Sequence, residues 1–151
     1  MNLVRTADNK VVRKPWGKEL WIADGTTTPY ALKRILFLAG NRSSLQFHRT
    51  KQETNYVLSG SGIFSLSKSP IIYEEYMNNK DGAEFIKSIH ESLQEIRLEP
   101  GVVIDVPIGY VHRVSAITNL TFIECSTAQL DDVIRIEDDT NRGDGRIDSE
   151  H

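Results

Sequence analysis

The stretch SLQFHRTKQE, residues 44–53, carries an amide, an imidazole and a carboxylate at Gln46, His48 and Glu53. Alternate residues of a strand share a face, so Gln46 and His48 project together. Glu53 follows a turn at 49–52, and a hairpin there is expected to set it beside His48. A second imidazole, His112, ends PGVVIDVPIGYVH, where Pro100-Gly101 and Pro107 to Gly109 pin the start of a strand. Taken singly, each of these is an ordinary polar residue on a strand face. Two imidazoles, a carboxylate and an amide oxygen converging from three strands make the donor set of a divalent-metal site.

The elements that must position these groups read as short strands. They are 30–40, 44–48, 54–60, 62–67, 93–101, 102–107, 111–117 and 120–126, all rich in β-branched or aromatic residues. Turn residues at Gly40-Asn41, Ser59 to Gly62, Pro100-Gly101 and Pro107 to Gly109 separate them. Short strands at this spacing predict an all-β sandwich or barrel. Phe85, Ile86, Ile89 and Leu93 recur at helical spacing, so 83–92 is expected to form a short helix, with an extended hairpin as the competitor. The acidic, glycine-containing segment after Arg135 is expected to make a final turn and then fray over 143–151.

Length and composition limit the partners. A chain of 151 residues fits one domain with a real core. Its 18 Lys plus Arg against 21 Asp plus Glu leave a net charge of -3 and no basic stripe, which argues against nucleic acid. No long apolar run or leader-like start is present, so neither a membrane partner nor secretion is expected and a cytoplasmic location is the simplest account. Cys125, the one cysteine, lies in an apolar run and is expected to be a buried, inert thiol.

Two spacings match a known pattern. Gly40-x5-Gln46-x-His48-x4-Glu53-x6-Gly60 resembles the first cupin motif, with Gln46 in place of its first histidine. Gly101-x5-Pro107-x-Gly109-x2-His112 resembles the second. The resemblance implies a single-domain cupin, a double-stranded β-helix or jelly-roll barrel with a core over about 12–142 and a helical or hairpin insertion near 70–95. The stretches KPWGKELW (14–21), YALKRI (30–35), SLQFH (44–48) and DDVIRIEDDTNR (131–142) narrow it further. Together they are similar to the type II mannose-6-phosphate isomerase domain, often the C-terminal part of mannose-1-phosphate guanylyltransferases. Three positions depart from that pattern: Lys51 stands where arginine is usual, Thr54-Asn55 where His-Trp is usual, and Ala116 where the second motif has asparagine. Lys51 and Thr54-Asn55 are expected at the mouth of the site, where they bear on the substrate more than on the metal.

The resemblance implies a metal-dependent sugar-phosphate isomerase working through an enediolate, with no guanylyltransferase activity from this chain. Gln46, His48, Glu53 and His112 would hold a divalent ion (Zn, Mn, Fe, Co or Mg). Lys33 and Arg135 are the candidate catalytic cations, and Lys51 and Arg142 the candidate substrate-binding ones. Trp16 and Trp21 are expected to pack the core or a lid. A homodimer is expected on the same grounds. Two rivals remain open: a non-catalytic cupin binding a sugar phosphate or sugar nucleotide, and a non-haem Fe(II) dioxygenase, since two histidines with one carboxylate also suit that chemistry.

Overall fold

Two antiparallel sheets face each other and enclose the site. The computed structural model describes residues 3–6 and 10–150; His151, the end of the segment expected to fray, lies outside them. Strands β1 (Val11–Lys14), β2 (Gly17–Asp24), β3 (Ala31–Phe37), β4 (Leu45–Phe47), β5 (Glu53–Ser59) and β6 (Gly62–Pro70) come first. Helices α1 (Tyr73–Asn79) and α2 (Ala83–Ser92) follow. Then come β7 (Leu93–Leu98), β8 (Val103–Val106), β9 (Tyr110–Ala116), β10 (Leu120–Ser126) and β11 (Ile134–Glu137). The larger sheet runs β1-β2-β3-β10-β5-β8 and the smaller β11-β4-β9-β6-β7. This is the expected jelly roll of the cupin fold.

Apolar side chains pack on both faces of the smaller sheet. Phe64, Leu98, Val114 and Ala116 point inward and meet Ile35, Phe37, Val57, Leu120 and Phe122 of the larger sheet and Trp16 of the turn between β1 and β2. Leu45, Phe47, Val111 and Ile134 point the other way and meet Tyr76 and Ile89 of the two helices. The insertion is therefore a cover that lets the smaller sheet be apolar outside as well as inside. Its second helix matches the expected 83–92 segment, so the hairpin alternative is not realised. The first helix went unread. Its opening turn, Glu74 and Glu75, suits the positive end of a helix, and Tyr76 is its buried contact.

Four further expectations need correction. Strands β4 and β5 lie in different sheets, so the 49–52 turn crosses between sheets and closes no hairpin. Segment 143–150, expected to fray, is seen packed: it ends in a short 3-10 turn, Asp148–Glu150, with Glu150 buried. Cys125 is exposed rather than buried, because β10 alternates and places Glu124 inside and Cys125 outside. Lys51 and Asn55 are buried within the barrel, not at its mouth, although Thr54 beside them is exposed.

Candidate metal centre

Burial on both faces of the smaller sheet decides which way the site residues point. Leu45 and Phe47 face the helices, so Gln46 between them and His48 beyond face the barrel. The same parity sends Val111 outward and His112 inward, and Ile134 outward and Arg135 inward. Gln46 and His112 are direct partners across β4 and β9. Glu53 arrives from the opposite sheet, as the first residue of β5. All of them line one cavity of about 100 Å³.

Both imidazoles are fixed in the same way. His48 Nδ1–H donates to the Asp132 carbonyl at 2.5 Å, and His112 Nδ1–H donates to the Tyr110 carbonyl at 2.9 Å. Each ring then turns a bare Nε2 lone pair inward, and neither Nε2 has a hydrogen-bond partner although both are buried. They face the two oxygens of one carboxylate: His48 Nε2 is 3.6 Å from Glu53 Oε2, and His112 Nε2 is 3.6 Å from Glu53 Oε1. That separation is too long for a hydrogen bond. It is short enough for two bonds of about 2.1 Å to a shared ion. The three donor atoms lie within 4.8 Å of one another. The residues present therefore fit a divalent metal. Gln46 lines the same space, its Oε1 accepting from the Ser44 hydroxyl at 2.6 Å and retaining a second lone pair.

Burial shapes the electrostatics. Desolvation pushes the His112 imidazole down to about 4, outweighing the attraction of Glu53, so the ring is neutral and ready to ligate. Desolvation pushes the Glu53 carboxyl up, but the Lys51 ammonium leads the opposing causes and the group is held well below the usual carboxylate range. Lys51 itself is nearly enclosed, 3.0 Å from Glu53 and 3.1 Å from Glu124. Burial opposes its charge, yet the two carboxylates raise it above the ordinary lysine value.

The turn that carries Lys51 is held by a residue the sequence reading did not single out. The Asp132 carboxylate accepts the backbone N–H groups of Arg49, Thr50 and Lys51 at 3.0, 2.7 and 2.9 Å. Its own carbonyl is the one that orients His48. Gly109 joins the two halves: its N–H reaches the His48 carbonyl at 2.9 Å. Its φ of 82° is left-handed, and a Cβ there would meet the Ile71 carbonyl at 2.9 Å.

A second buried group lies on the larger sheet. Glu19 Oε1 accepts from Lys33 Nζ at 3.2 Å and from Trp21 Nε1 at 2.8 Å, while Lys33 Nζ also stands 4.5 Å over the Trp21 ring. Burial raises the Glu19 carboxyl, but Lys33, Lys14 and the indole N–H together lower it. Lys33 and Glu124 are cross-strand partners on β3 and β10. Glu19 and Glu124 are thus buried carboxylates of the cavity that the motif spacing gave no reason to select. Their signal was parity, since each alternates with outward residues along its strand.

The remaining candidate cations line the same cavity, with Arg135 the cross-strand partner of Gln46. Arg135 Nη1 donates to the carbonyls of Gly143 and Gly145, and its buried Nε has no partner. Arg142 grips Asp138 through Nε and Nη2, both at 2.9 Å, and turns Nη1 to Glu150 at 3.1 Å. Trp16 stacks on Phe37 with ring centroids 3.8 Å apart, so Trp16 and Trp21 are both buried walls of the cavity.

Enclosed space, paired sheets and inward histidines define a cupin-fold protein with a candidate metal centre. No protein-family model matches the chain, and no curated protein matches it. Solved structures do match in fold. The capsular polysaccharide assembling protein CapF of Staphylococcus aureus superposes with a TM-score of 0.60 at 19% identity, over 82% of this chain and 30% of that one. KdgF of a Halomonas species gives 0.56 at 16% identity, over 80% and 88%. A protein of Acidithiobacillus ferrooxidans, provisionally named a sugar phosphate isomerase, gives 0.53 at 17%, over 79% and 64%. The chain thus spans under a third of CapF. No helix among the described residues is long and apolar enough to cross a membrane.

Proposed function

We propose that this protein is a metal-dependent aldose–ketose isomerase of a phosphorylated sugar, with mannose 6-phosphate and fructose 6-phosphate as the leading pair. The observation that carries the proposal is the pair of buried, unpartnered Nε2 atoms facing the two oxygens of Glu53. The sugar-phosphate class draws its support from the sequence resemblance and from the cations that share the cavity, Lys14, Lys33, Arg135 and Arg142.

On this reading Gln46, His48, Glu53 and His112 hold a divalent ion. Bound there, such an ion supplies Lewis-acid polarisation of the substrate carbonyl and its neighbouring oxygen. Lys51 fixes the Glu53 carboxylate and shares its charge with Glu124. The isomerisation moves one proton between adjacent carbons and another between their oxygens, so it needs no co-reactant but does need a base and an acid. Glu124 is the buried carboxylate beside the centre suited to the carbon-bound proton. The Lys33–Glu19 pair, donor and acceptor 3.2 Å apart, suits the oxygen-bound one. Arg142 and Arg135 hold the phosphate end through charge-assisted hydrogen bonds. Apolar walls from Ile35, Phe37, Phe64 and Phe122 keep the effective dielectric low, which strengthens each of these interactions.

The test is metal analysis of purified wild type, Glu53→Ala and His112→Ala, joined to a screen of hexose and pentose phosphates with and without chelator. Both variants are expected to lose metal and turnover. Full metal in both would sink the site, and chelator-insensitive turnover would sink the mechanism. Ligand-induced stabilisation without any turnover would favour the non-catalytic binding module.

A further inference from the structure

Part of the cavity wall is made by the chain's own 145–147 stretch. Gly145 and Ile147 line it together with Lys14, Arg135 and Arg142. The segment has two parts with different anchorage. Residues 143–145 are tied down: Asp144 Oδ1 accepts the Arg135 N–H at 2.7 Å, Gly145 N–H reaches the Val133 carbonyl at 2.8 Å, and Arg135 Nη1 takes two carbonyls. Beyond Gly145, whose φ is 73°, Ile147 lines the cavity, and the polar ties to the rest of the chain found among the described residues are those of one carboxylate. Glu150 meets Lys14 Nζ at 3.0 Å and Arg142 Nη1 at 3.1 Å. All three side chains are almost wholly buried, at 9%, 12% and 10% exposure.

We propose that residues 146–150 form a latch across this cavity, and that the Glu150 carboxylate occupies the seat, between Lys14 and Arg142, of an anionic group of the ligand. The assignment of that group as a sugar's phosphate rests on the function proposed above; the latch does not. Arg142 stays anchored when the latch lifts, because its Nε and Nη2 keep Asp138. Only Nη1 is freed. Lys14 Nζ is freed with it, and the unpartnered Arg135 Nε lines the same cavity. Two cationic donors then face the vacated seat, with the Arg135 guanidinium in the same cavity, which is the recognition chemistry of a phosphate monoester. A bound phosphate repeats the two contacts Glu150 makes, so the ligand and the latch compete for one place. Entry of the ligand is thereby coupled to opening of 146–150 about Gly145, at the cost of the Glu150 ion pairs.

Inorganic phosphate is the probe, titrated by calorimetry into chelator-treated protein so that neither bound metal nor turnover enters the readout. Glu150→Gln keeps the shape of the latch and removes its charge. It is expected to bind phosphate at least about ten-fold more tightly than wild type, the size of one charge-assisted hydrogen bond. Adding Lys14→Gln to it is expected to abolish the gain. Equal affinity in wild type and Glu150→Gln, or a gain that survives loss of Lys14, overturns the proposal. A second readout needs no substitution. Trypsin cleavage after Arg146, an exposed residue, is expected to accelerate in wild-type protein saturated with phosphate. Unchanged or slower cleavage there also overturns it. Either result stands apart from the isomerase assay, so a failed latch and a failed function are told apart.

Discussion

The two ends of the cavity are built on opposite principles. At the histidine end, polar atoms are buried and left without partners: His48 Nε2 and His112 Nε2 face Glu53 across 3.6 Å. At the other, Lys14, Arg142, Asp138 and Glu150 are also buried, and each of these four charges is met by another of the same chain, although the neighbouring Arg135 Nε is not. Leaving a buried polar atom unpaired costs roughly 1–3 kcal/mol, so the first arrangement persists only where something else is meant to complete it. The second is already complete and has to be undone before anything else can use it. One end asks for a ligand and the other withholds a place for one.

The hardest test of this contrast is Lys51. It is the cation that meets both the Glu53 and the Glu124 carboxylates inside the barrel. Lys51→Met keeps the volume and removes the charge, leaving two buried carboxylates facing each other's field. Breaking a buried pair in this way costs about 3–5 kcal/mol, and chemical denaturation of the metal-free protein is expected to show a loss of that size. A divalent ion is expected to restore part of it, because an ion at the histidine end neutralises Glu53 and leaves Glu124 unrelieved. A neutral substitution would mean that the site tolerates unpaired charge as freely as unpaired nitrogen.

Much of this site was legible because metal donors come with short, fixed spacings along strands. His48, Glu53 and His112, the group that could hold a metal, were readable from the two motifs, and alternation turned Gln46 and His48 to one side of β4. What the spacing could not carry was contact at a distance. Glu150 reads locally as part of an acidic, glycine-containing end; only its meeting with Lys14, far back along the chain, makes it a structural residue. Asp132 looks like one of many loop aspartates until its carboxylate is seen to gather three N–H groups of the 49–51 turn. Cys125 was misread for a different reason. In the run LTFIECS, hydrophobicity suggested burial, whereas parity with the inward Phe122 and Glu124 fixes it outside. Strands β1 and β2 went unread because charged residues and glycine interrupt their apolar positions.

Acid distinguishes the two ends as well. The folded His112 sits near 4, below the roughly 6.5 of a histidine in an unfolded chain. The unfolded state therefore takes up this proton first as pH falls. The stability tied to burying a neutral ring is complete above about pH 6.5 and drains away as pH drops towards 4. Glu53, held low in the folded state, adds a loss of the same sign below the usual carboxylate range. The unfolding free energy of the metal-free protein, measured by chemical denaturation, is expected to be flat above neutrality and to decline steadily below pH 6.5, by up to about 3 kcal/mol in total from the histidine. A profile that rises on acidification would contradict a neutral, inward-facing His112.

The finest test lies in two neighbouring aspartates. Asp138 and Asp139 each hold an arginine through a two-pronged fork: Arg142 on Asp138 at 2.9 Å, and Arg42 on Asp139 at 2.8 Å. The geometries are nearly the same and the burial is not. The first pair is 10% and 5% exposed, the second 48% and 55%. Asp138→Ala strands a buried guanidinium that still has Glu150 on its other side, so the loss is expected to fall short of a fully orphaned charge, at about 2 kcal/mol. Asp139→Ala releases its arginine to water and is expected to leave the melting temperature within measurement scatter. A double-mutant cycle of Asp138→Ala with Glu150→Gln then separates the two sides of Arg142. Strong coupling between them is expected, because either carboxylate alone can keep the guanidinium neutralised. Additive losses would mean that Glu150 grips Lys14 and not Arg142, and the charge at the far end would be divided differently from the arrangement described.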